Sequence, residues 1–213
     1  MCADVMLAVL AKAPLPGQAK TRLIPTLGAE GAARLHERLL RRTLEIARAT
    51  MPRVTLWTAL AHHHPLFLEL ADTYRIELRP QPHGDLGQRM LHALAAMPGP
   101  GLVIGTDCPV LTPTLLRRCH AALNDADVVC LPAEDGGYGL IAMHRTEARL
   151  FSGIDWSTER VMSQTAHAAA KLGLRLRCLD TVWDVDRPED LARLATHSPE
   201  LLVDLDDPTT HGR

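Results

Sequence analysis

Short apolar segments alternate with helix-forming segments along most of this chain, and this alternation restricts its fold more than any other feature. The strand-like segments are largely apolar and rich in β-branched residues, and they span residues 5–11, 53–60, 74–78, 101–105, 127–131, 138–144 and 174–179. Segments with helical spacing of apolar residues span 29–49, 86–97, 113–123, 158–172 and 188–194. Strands that are apolar throughout are typical of a parallel sheet covered on both faces. The order predicts an α/β fold with a mainly parallel sheet, and the short glycine-rich loop before residue 138 predicts one antiparallel strand.

The chain is long enough to form one stable domain without disulfides or a structural metal. Its 213 residues are 46% hydrophobic and 23% charged, which is a globular composition. A chain of this length buries roughly 70% of its unfolded surface. Because no internal repeat or linker divides it, we expect a single domain over residues 1–195, followed by a loosely packed acidic tail over residues 196–213.

Charge, aromatic content and cysteine spacing exclude several classes of protein. The net charge of -2 and the seven aromatic residues argue against nucleic-acid binding. The longest apolar run, residues 5–11, is far shorter than the roughly 20 residues that cross a bilayer, and no basic leader or cleavage site accompanies it. The five cysteines form no CxxC pair, so reduced, buried thiols are expected. We therefore expect a cytoplasmic protein that does not insert into a membrane.

Three cations, Lys12, Lys20 and Arg22, follow the first predicted strand within eleven residues. Two prolines and Gly17 in the same segment disfavour a long helix, so the cations should lie on a loop at the carboxyl end of a strand. Ligands of open α/β sheets bind at such ends, and a basic loop there suits phosphate groups. Lys20 follows the glycine, where the loop can fold back on the phosphates. A solvated basic loop is the alternative interpretation.

Asp107 follows the fourth predicted strand. A carboxylate at the tip of a buried strand is costly unless it binds a cation or caps the next helix, and Thr112, before Pro113, already suits that cap. Asp107 is therefore a candidate ligand for a hard divalent cation, Mg²⁺ or Mn²⁺. The alternative is an aspartate hydrogen-bonded to its own turn.

Two further aspartates, Asp184 and Asp186, stand shortly before Pro188. In an extended backbone their spacing places both side chains on one side. Since Pro188 favours the first position of a helix, we expect one aspartate to cap that helix and the other to bind metal.

A glycine-containing segment, Gly84-Asp85-Leu86-Gly87-Gln88-Arg89, opens the helix predicted over 86–97. Asp85 followed three residues later by Gln88 is typical of a capping box. Gly87 in a first helical turn also permits a ligand to approach the backbone. Both interpretations remain open.

Paired glycines also stand in Asp135-Gly136-Gly137-Tyr138, which is either a hairpin turn or a rim that contacts an acceptor. The three consecutive histidines at 62–64 are followed by proline, and no other segment supplies a matching ligand, so a surface loop is favoured over a metal site. Cys108 adjoins Asp107, whose charge would raise the pKa of the thiol, which argues against a nucleophilic cysteine.

Together these segments resemble a bacterial family of GT-A-fold proteins of the selenodomain-associated transferase type, classed as candidate glycosyltransferases and built on a domain of unassigned function. The resemblance runs in order from residue 5 to about residue 195. It rests on Lys12-Ala-Pro-x-Pro-Gly-x-x-Lys20-Thr-Arg-Leu23, Gly84-Asp-Leu-Gly-x-Arg-Met90, Gly105-x-Asp-x-Pro109, Glu134-Asp-Gly-Gly-Tyr138, Trp156-Ser-Thr158 and Asp184-Val-Asp-x-Pro-Glu-Asp-Leu191. It implies a single Rossmann-type, three-layer domain similar to nucleotide-diphospho-sugar transferases.

The resemblance also implies roles for individual residues. The superfamily includes enzymes similar to molybdenum-cofactor guanylyltransferase, 2-phospholactate guanylyltransferase and CMP-KDO synthetase. By this resemblance, Lys20 and Asp107 would be catalytic, Lys20 would grip a triphosphate, and Asp107 and Asp186 would hold the metal. The other expected nucleotide-binding residues are Lys12, Gly17, Arg22, Gly84, Asp85, Gly87 and Arg89, and the expected acceptor-binding residues are Asp135, Gly136, Gly137 and Tyr138.

The sequence thus predicts a Mg²⁺-dependent transferase that uses a nucleotide donor and a small-molecule acceptor, most simply a nucleotide-sugar glycosyltransferase. One alternative is a nucleotidyltransferase that moves a nucleoside monophosphate from a triphosphate to a phosphorylated acceptor and releases pyrophosphate. Another is a nucleotide-binding module without catalysis. Pro14 and Pro16 replace the glycine-rich opening of classical nucleotidyltransferases. Because proline has no N–H to donate, a diphosphate or nucleotide sugar is expected to bind at least as well as a triphosphate.

Overall fold

A seven-stranded sheet with helices on both faces forms the framework of the computed structural model, which describes residues 5–205. The strands are β1 (Met6–Lys12), β2 (Arg53–Ala59), β3 (Glu77–Pro80), β4 (Gly101–Ile104), β5 (Val128–Pro132), β6 (Tyr138–Met143) and β7 (Leu176–Cys178). The helices are α1 (Ile24–Thr50), α2 (Pro65–Tyr74), α3 (Leu86–Ala95), α4 (Pro113–Ala122), α5 (Val161–Lys171) and α6 (Pro188–His197). Short 3₁₀ turns cover Thr21–Leu23, Ala148–Phe151 and Pro199–Leu201. The predicted α/β class is confirmed.

The strands lie in the order β3-β2-β1-β4-β6-β5-β7. Within this sheet β6 pairs antiparallel with both β4 and β5, and the other pairings are parallel. The predicted antiparallel strand is therefore confirmed. The chain runs outward from β1 to β2 and β3, then returns to place β4 on the other side of β1. This reversal makes a topological switch point between the carboxyl ends of β1 and β4, where open α/β sheets bind ligands.

Alternate residues of β1 enter two separate cores, which is why this strand is apolar throughout. Leu7 and Val9 pack in a cluster with α1, α2 and α4, whereas Ala8 and Leu10 pack in a second cluster with α3 and α5. Helices therefore cover both faces of the sheet, as the continuous apolar strands predict.

Helix α2 has no counterpart among the predicted helices. It is ten residues long, and its N-cap is His64, whose Nδ1 accepts a hydrogen bond from the N–H of Leu66 at 3.2 Å. Histidine is not one of the usual N-cap residues, so the start of the helix carries no familiar signal. The strand expected over 74–78 begins only at Glu77, since Tyr74 ends α2. Within residues 5–205, no helix combines the length and the apolarity that a bilayer span requires.

The first part of the predicted acidic tail packs against α1. Leu201 and Leu205 are buried beside Leu35 and Leu39, and the Arg34 Nε donates to the Leu205 carbonyl at 2.6 Å. Loose packing therefore does not hold for this part of the tail, because its leucines complete an apolar cluster. Residues 206–213 lie outside the described residues.

The cysteine thiols match the sequence expectation except at one position. Cys108, Cys119 and Cys130 are free and buried, whereas Cys178 is free but exposed on β7. Cys2 lies outside the described residues.

Candidate active site

An ion pair joins the loops that follow β1 and β4 at the switch point. The Lys20 Nζ lies 2.8 Å from the Asp107 Oδ1 and also donates to the Val185 carbonyl. Lys20 adopts a left-handed backbone conformation with φ 49° directly before the 3₁₀ turn, and this conformation turns the loop back toward the sheet. Its side chain is only 3% exposed, whereas that of Asp107 is 45% exposed. Lys20 is therefore a buried partner of Asp107, and Asp107 has a surface open to a ligand.

Asp107 is held in its charged form. Desolvation in the crevice favours the neutral acid, but the positive charge of Lys20 and the neighbouring His36 more than offset this effect and lower the pKa of Asp107. The Thr106 Oγ1 adds a hydrogen bond to the same carboxylate at 3.2 Å. An ionised carboxylate at this position is suited to a cation.

His36 of α1 is a site residue that the sequence analysis missed. Its Nε2 lies 2.9 Å from the Lys12 carbonyl, and since a carbonyl only accepts, this nitrogen carries the proton. The Nδ1 is buried without a hydrogen-bond partner in the described part of the chain, and it lies 3.9 Å from the Asp107 Oδ1. Burial lowers the pKa of His36 more than Asp107 raises it. The signal that could have identified it is its spacing: His36 stands four residues before Leu40 and eight before Leu44, which places it on the apolar face of α1.

The segment before α6 places Asp184 at the crevice. Trp183 and Val185 on either side of it are buried against α1, and the Val185 N–H donates to the Asp107 carbonyl at 2.9 Å. Alternation along an extended segment then sends Asp184 to the opposite side. Burial, followed by the charges of Asp135 and Asp107, raises the pKa of Asp184 to about 6. The structure thus brings Asp184 into the pocket that Asp107 lines.

Asp186 is oriented differently from the sequence expectation. Its carboxylate pairs with the Arg22 guanidinium and lines a groove next to the pocket, and Asp107 does not line that groove. Neither Asp184 nor Asp186 caps α6, so that prediction is wrong. The Asp190 carboxylate accepts from the Asp186 and Arg187 N–H groups at 2.9 and 2.6 Å. Asp190, a residue of the first turn of α6, therefore forms the capping box with the N-cap Arg187.

A pocket of about 220 Å³ opens beside Asp107 and Asp184. Three carboxylates, three aromatic side chains, three glycines and several small or apolar residues line it: Leu86, Gly105, Asp107, Cys108, Ala133, Asp135, Gly137, Tyr138, Gly139, Trp156, Ser157, Thr158, Val161, Val182, Trp183 and Asp184. We call this the acidic pocket. A groove of about 360 Å³ continues from it past Arg22 and Asp186 and shares Asp135 and Asp184 with it.

Gly87 allows the wall of the acidic pocket to pack closely, and its contact with a nucleotide stays a prediction. A Cβ at this position would lie 2.2 Å from the ring of Trp156, so the glycine lets the indole pack against the first turn of α3. Phe151 also stacks on the indole, with ring centroids 6.3 Å apart. The close approach predicted at Gly87 exists, but a side chain of the protein makes it.

The hairpin between β5 and β6 supplies the rim of the pocket. Asp135 Oδ1 accepts from the Gly137 N–H at 2.8 Å, and Gly136 has φ 86° with the Glu159 carbonyl 2.1 Å from where a Cβ would stand. Tyr138 contributes its ring, while its hydroxyl is buried and burial raises the pKa of that phenol well above its usual value. The hairpin interpretation is therefore confirmed and the same hairpin lines the pocket, whereas its contact with an acceptor stays a prediction.

The remaining candidate nucleotide residues lie outside the acidic pocket. Lys12, the last residue of β1, and Gly17, on the loop that follows, are both exposed, and the Lys12 ammonium makes no ion pair with any residue between 5 and 205. Asp85 caps α3 by accepting from the Gln88 N–H at 2.8 Å, which confirms the capping interpretation, and Gly84 precedes it with φ 118°. Arg89 is half-buried.

The acidic pocket offers ligands for a small divalent ion. Within the described residues no cluster of three ligating side chains is close enough to form a complete protein cage. Mg²⁺ does not need one, because it is usually held by one or two carboxylates together with water and substrate phosphates. Asp107 and Asp184 meet that requirement. The repulsion by Asp135 and Asp107, which adds to burial in raising the pKa of Asp184, is what a cation would relieve.

A larger cavity of about 630 Å³ lies on the α5 side and shares no residue with the acidic pocket or its groove. It is lined by Arg149, Ser152, Gly153, Ile154, Ser163, Gln164, His167, Ala168, Lys171 and Leu172. Because the strand ends, the Lys20–Asp107 pair and the carboxylates all lie elsewhere, we place the candidate site at the smaller pocket.

The chain belongs to the family described as uncharacterized protein conserved in bacteria (DUF2064), whose model matches residues 40–158. This agrees with the resemblance to a family built on a domain of unassigned function. A sequence comparison with curated proteins finds no significant match.

Solved structures show the same fold. A candidate nucleotide-diphospho-sugar transferase from Desulfovibrio desulfuricans G20 is 24% identical with a TM-score of 0.81, over 92% of this chain and 89% of that chain. CMP:2-keto-3-deoxy-manno-octonic acid synthetase, solved with CTP, is 12% identical with a TM-score of 0.59, over 93% and 99% of the two chains. The 4-diphosphocytidyl-2C-methyl-D-erythritol synthase from Anaerococcus prevotii DSM 20548 is 10% identical with a TM-score of 0.60, over 93% and 99%. The nucleotide-diphospho-sugar transferase-like fold is thereby confirmed.

Proposed function

We propose that this protein is a Mg²⁺-dependent transferase that uses a nucleotide donor, and that it transfers the sugar of a nucleotide sugar. The observation that carries the proposal is the ionised, half-exposed Asp107 at the switch point, held by the buried Lys20 and facing a pocket shared with Asp184. The fold relatives that act on nucleotides and nucleotide sugars support the same class of donor.

The loop after β1 favours a diphosphate donor over a triphosphate. Lys20 and Arg22 already pair with Asp107 and Asp186, which leaves Lys12 as the loop cation without an ion pair in the described range. Pro14 and Pro16 supply no N–H groups. Few donors therefore remain for a γ-phosphate.

Asp107 and Asp184 would hold the metal, which when bound neutralises charge on the donor phosphates. Lys20 keeps Asp107 ionised, and the exposed Lys12 supplies a positive charge for the donor phosphates. An acceptor hydroxyl in the acidic pocket attacks the anomeric carbon. The new C–O bond forms as the bond to the diphosphate breaks, and the diphosphate leaves with the electron pair. Asp135, at the rim, receives the hydroxyl proton.

Nucleotidyl transfer is the second candidate, because several fold relatives are nucleotidyltransferases. In that reaction the acceptor oxygen attacks the α-phosphorus of a triphosphate and pyrophosphate leaves. A module that binds nucleotide without catalysis is the third candidate.

A thermal-shift screen tests these candidates. Nucleoside diphosphates, triphosphates and nucleotide sugars are compared with and without Mg²⁺, since a ligand at 100 times its Kd adds roughly 2.7 kcal/mol to stability. We expect Mg²⁺-dependent stabilisation by nucleotide sugars that is absent in Asp107→Asn. Nucleotide binding without turnover of any nucleotide sugar or triphosphate would favour the binding module, and no nucleotide binding would refute the proposal.

A further inference from the structure

We infer that the acceptor of the acidic pocket is a compact polyol or amino-polyol that carries no phosphate. This inference rests on the proposed function, which assigns a donor but no acceptor. It deepens that function by naming the acceptor class, and it separates sugar transfer from transfer to a phosphorylated acceptor.

The charge of the pocket excludes an anionic acceptor. Its charged lining residues are Asp107, Asp135 and Asp184, and no arginine, lysine or histidine lines it. The adjoining groove adds the carboxylates of Glu134, Glu159, Asp186 and Asp190 and only two guanidinium groups, those of Arg22 and Arg187.

Two of the three cations beside these carboxylates are already paired: Arg22 binds Asp186, and Lys20 is buried against Asp107. Arg187 makes no ion pair within the described residues, but it lines the groove and not the acidic pocket. Mg²⁺ bound in the pocket would be neutralised by its carboxylate ligands and by the donor diphosphate. A phosphate on an acceptor inside the acidic pocket would thus meet no positively charged lining residue, whereas hydroxyl and ammonium groups donate hydrogen bonds to carboxylates.

The shape of the pocket fits one small ring. Its volume of about 220 Å³ lies below the roughly 300–1,000 Å³ of pockets that hold drug-sized ligands. One wall is the indole of Trp156, fixed by Gly87 and Phe151, with the Tyr138 ring meeting it edge-on at 6.5 Å. An apolar wall facing carboxylates suits a molecule with an apolar C–H face and polar edges, which describes a cyclic polyol.

The first experiment uses three probes that share one ring: glucosamine, glucose and glucose 6-phosphate. Calorimetry measures their binding with Mg²⁺ and the preferred nucleoside diphosphate present. We expect glucosamine to bind at least tenfold more tightly than glucose 6-phosphate, with glucose between them. Asp135→Asn should reduce the ratio of the glucosamine affinity to the glucose 6-phosphate affinity at least threefold. Asp72→Asn, which makes the same charge change at an exposed residue of α2, should leave the ratio of the two affinities unchanged.

The second experiment measures the charge of the acidic pocket directly and requires no bound acceptor. Tryptophan emission is quenched with caesium, acrylamide and iodide at a constant ionic strength of about 0.1 M, where charges act over roughly 10 Å. We expect caesium to quench Trp156 at least threefold more efficiently than iodide. The Trp156→Phe variant should lose this component, and Trp57→Phe, which changes a buried residue of β2, should keep it.

Two results would overturn the inference: glucose 6-phosphate binding as tightly as glucosamine, or iodide quenching Trp156 as well as caesium does. If none of the three sugars binds, the quenching result decides whether the inference stands. Nucleotide binding is measured separately, so the failure of one proposal can be told from the failure of the other. Tight nucleotide binding with preference for the phosphate ester refutes only the acceptor inference, whereas the absence of any nucleotide binding refutes the transferase and, with it, the acceptor that depends on it.

Discussion

Lys20 Nζ and Asp107 Oδ1 lie 2.8 Å apart and thereby join the loops after β1 and β4 across the switch point of the sheet. The same ammonium also binds the Val185 carbonyl, which fixes the segment that carries Asp184. One buried cation thus positions two of the carboxylates that face the acidic pocket. This arrangement assigns Lys20 to organising the site, so Lys12 is the cation that we expect to contact phosphate directly.

The first prediction compares Lys20→Met with Lys12→Met. Lys20→Met removes a charged hydrogen bond from Asp107, and we expect it to lower the free energy of unfolding by about 1.5–3 kcal/mol. Lys12 is exposed, so its replacement should change stability by less than about 0.5 kcal/mol. Lys12→Met should instead weaken nucleoside diphosphate binding by about one to two decades. Urea unfolding and calorimetry on both variants check this, and equal stability of the two variants would contradict the role given to Lys20.

The second prediction concerns the metal. Asp107→Asn keeps the shape of the side chain but removes its charge, so Mg²⁺-dependent nucleotide binding should fall by about one to two decades while the fold persists. Circular dichroism checks the fold, and Mg²⁺ titrations with nucleotide check the binding. Asp72→Asn serves as the charge-matched control. Wild-type Mg²⁺ dependence in Asp107→Asn would remove the metal from this position.

The sequence predicts the sheet well because strand formation here depends on local composition. Strands covered on both faces are apolar throughout, as β4 and β5 are, whereas the edge strands β3 and β7 carry charged residues and are partly exposed. All seven strands nevertheless overlap predicted segments. The choice between Asp184 and Asp186 could not be made this way. The two aspartates lie two residues apart in one segment, and the sequence does not show which of them pairs with Arg22, 162 or more residues earlier in the chain. His36 reaches the site only through the packing of α1 on the sheet, so its role follows from tertiary structure.

The third prediction is a pH dependence of stability caused by Asp184. Its pKa is raised to about 6 in the folded protein, against about 3.9 unfolded, so the folded state binds the proton more tightly. Stability therefore falls as the pH rises from about 4 to about 6, and the full penalty is present above 6. After allowance for solvent screening, Asp184→Asn should stabilise the metal-free protein by about 1–2 kcal/mol at pH 7.5 and hardly at all at pH 4.

Thermal melts in EDTA at both pH values measure this difference. A gain of 1–2 kcal/mol corresponds to about 2–8 °C for a chain of this size. Asp186→Asn is the control, because it removes an exposed ion pair with Arg22 and should give no such gain. The same Asp184→Asn change should reduce transferase activity, as expected where a site is strained for function. Equal gains at both pH values would show that the penalty does not come from ionisation.

The fourth prediction concerns the wall of the acidic pocket. Gly87→Ala places a methyl group 2.2 Å from the Trp156 ring, and displacing that ring should cost about 1–3 kcal/mol despite the better helix propensity of alanine. The acceptor KM should rise while nucleotide affinity stays within about twofold. Gly99→Ala, where a Cβ meets no atom within 4 Å, is the matched control. Near-ultraviolet circular dichroism should report the movement of the indole, and unchanged spectra with unchanged KM would show that Trp156 is not the wall.

The last prediction decides which bond of the donor is broken, and it depends on the loop after β1. Of its three cations, Lys20 and Arg22 are paired within the protein, and Pro14 and Pro16 offer no backbone donors. A γ-phosphate would gain little from such a loop, so we expect a nucleoside diphosphate or nucleotide sugar to bind at least as tightly as the triphosphate of the same base. Competition calorimetry with Mg²⁺ measures the affinities, and an assay for released pyrophosphate accompanies it. Arg22→Gln provides the internal check, because an arginine already paired with Asp186 should change the ratio of the two affinities by less than about threefold. Triphosphate binding tenfold tighter than diphosphate, with pyrophosphate released when a phosphorylated acceptor is added, would establish a nucleotidyltransferase instead.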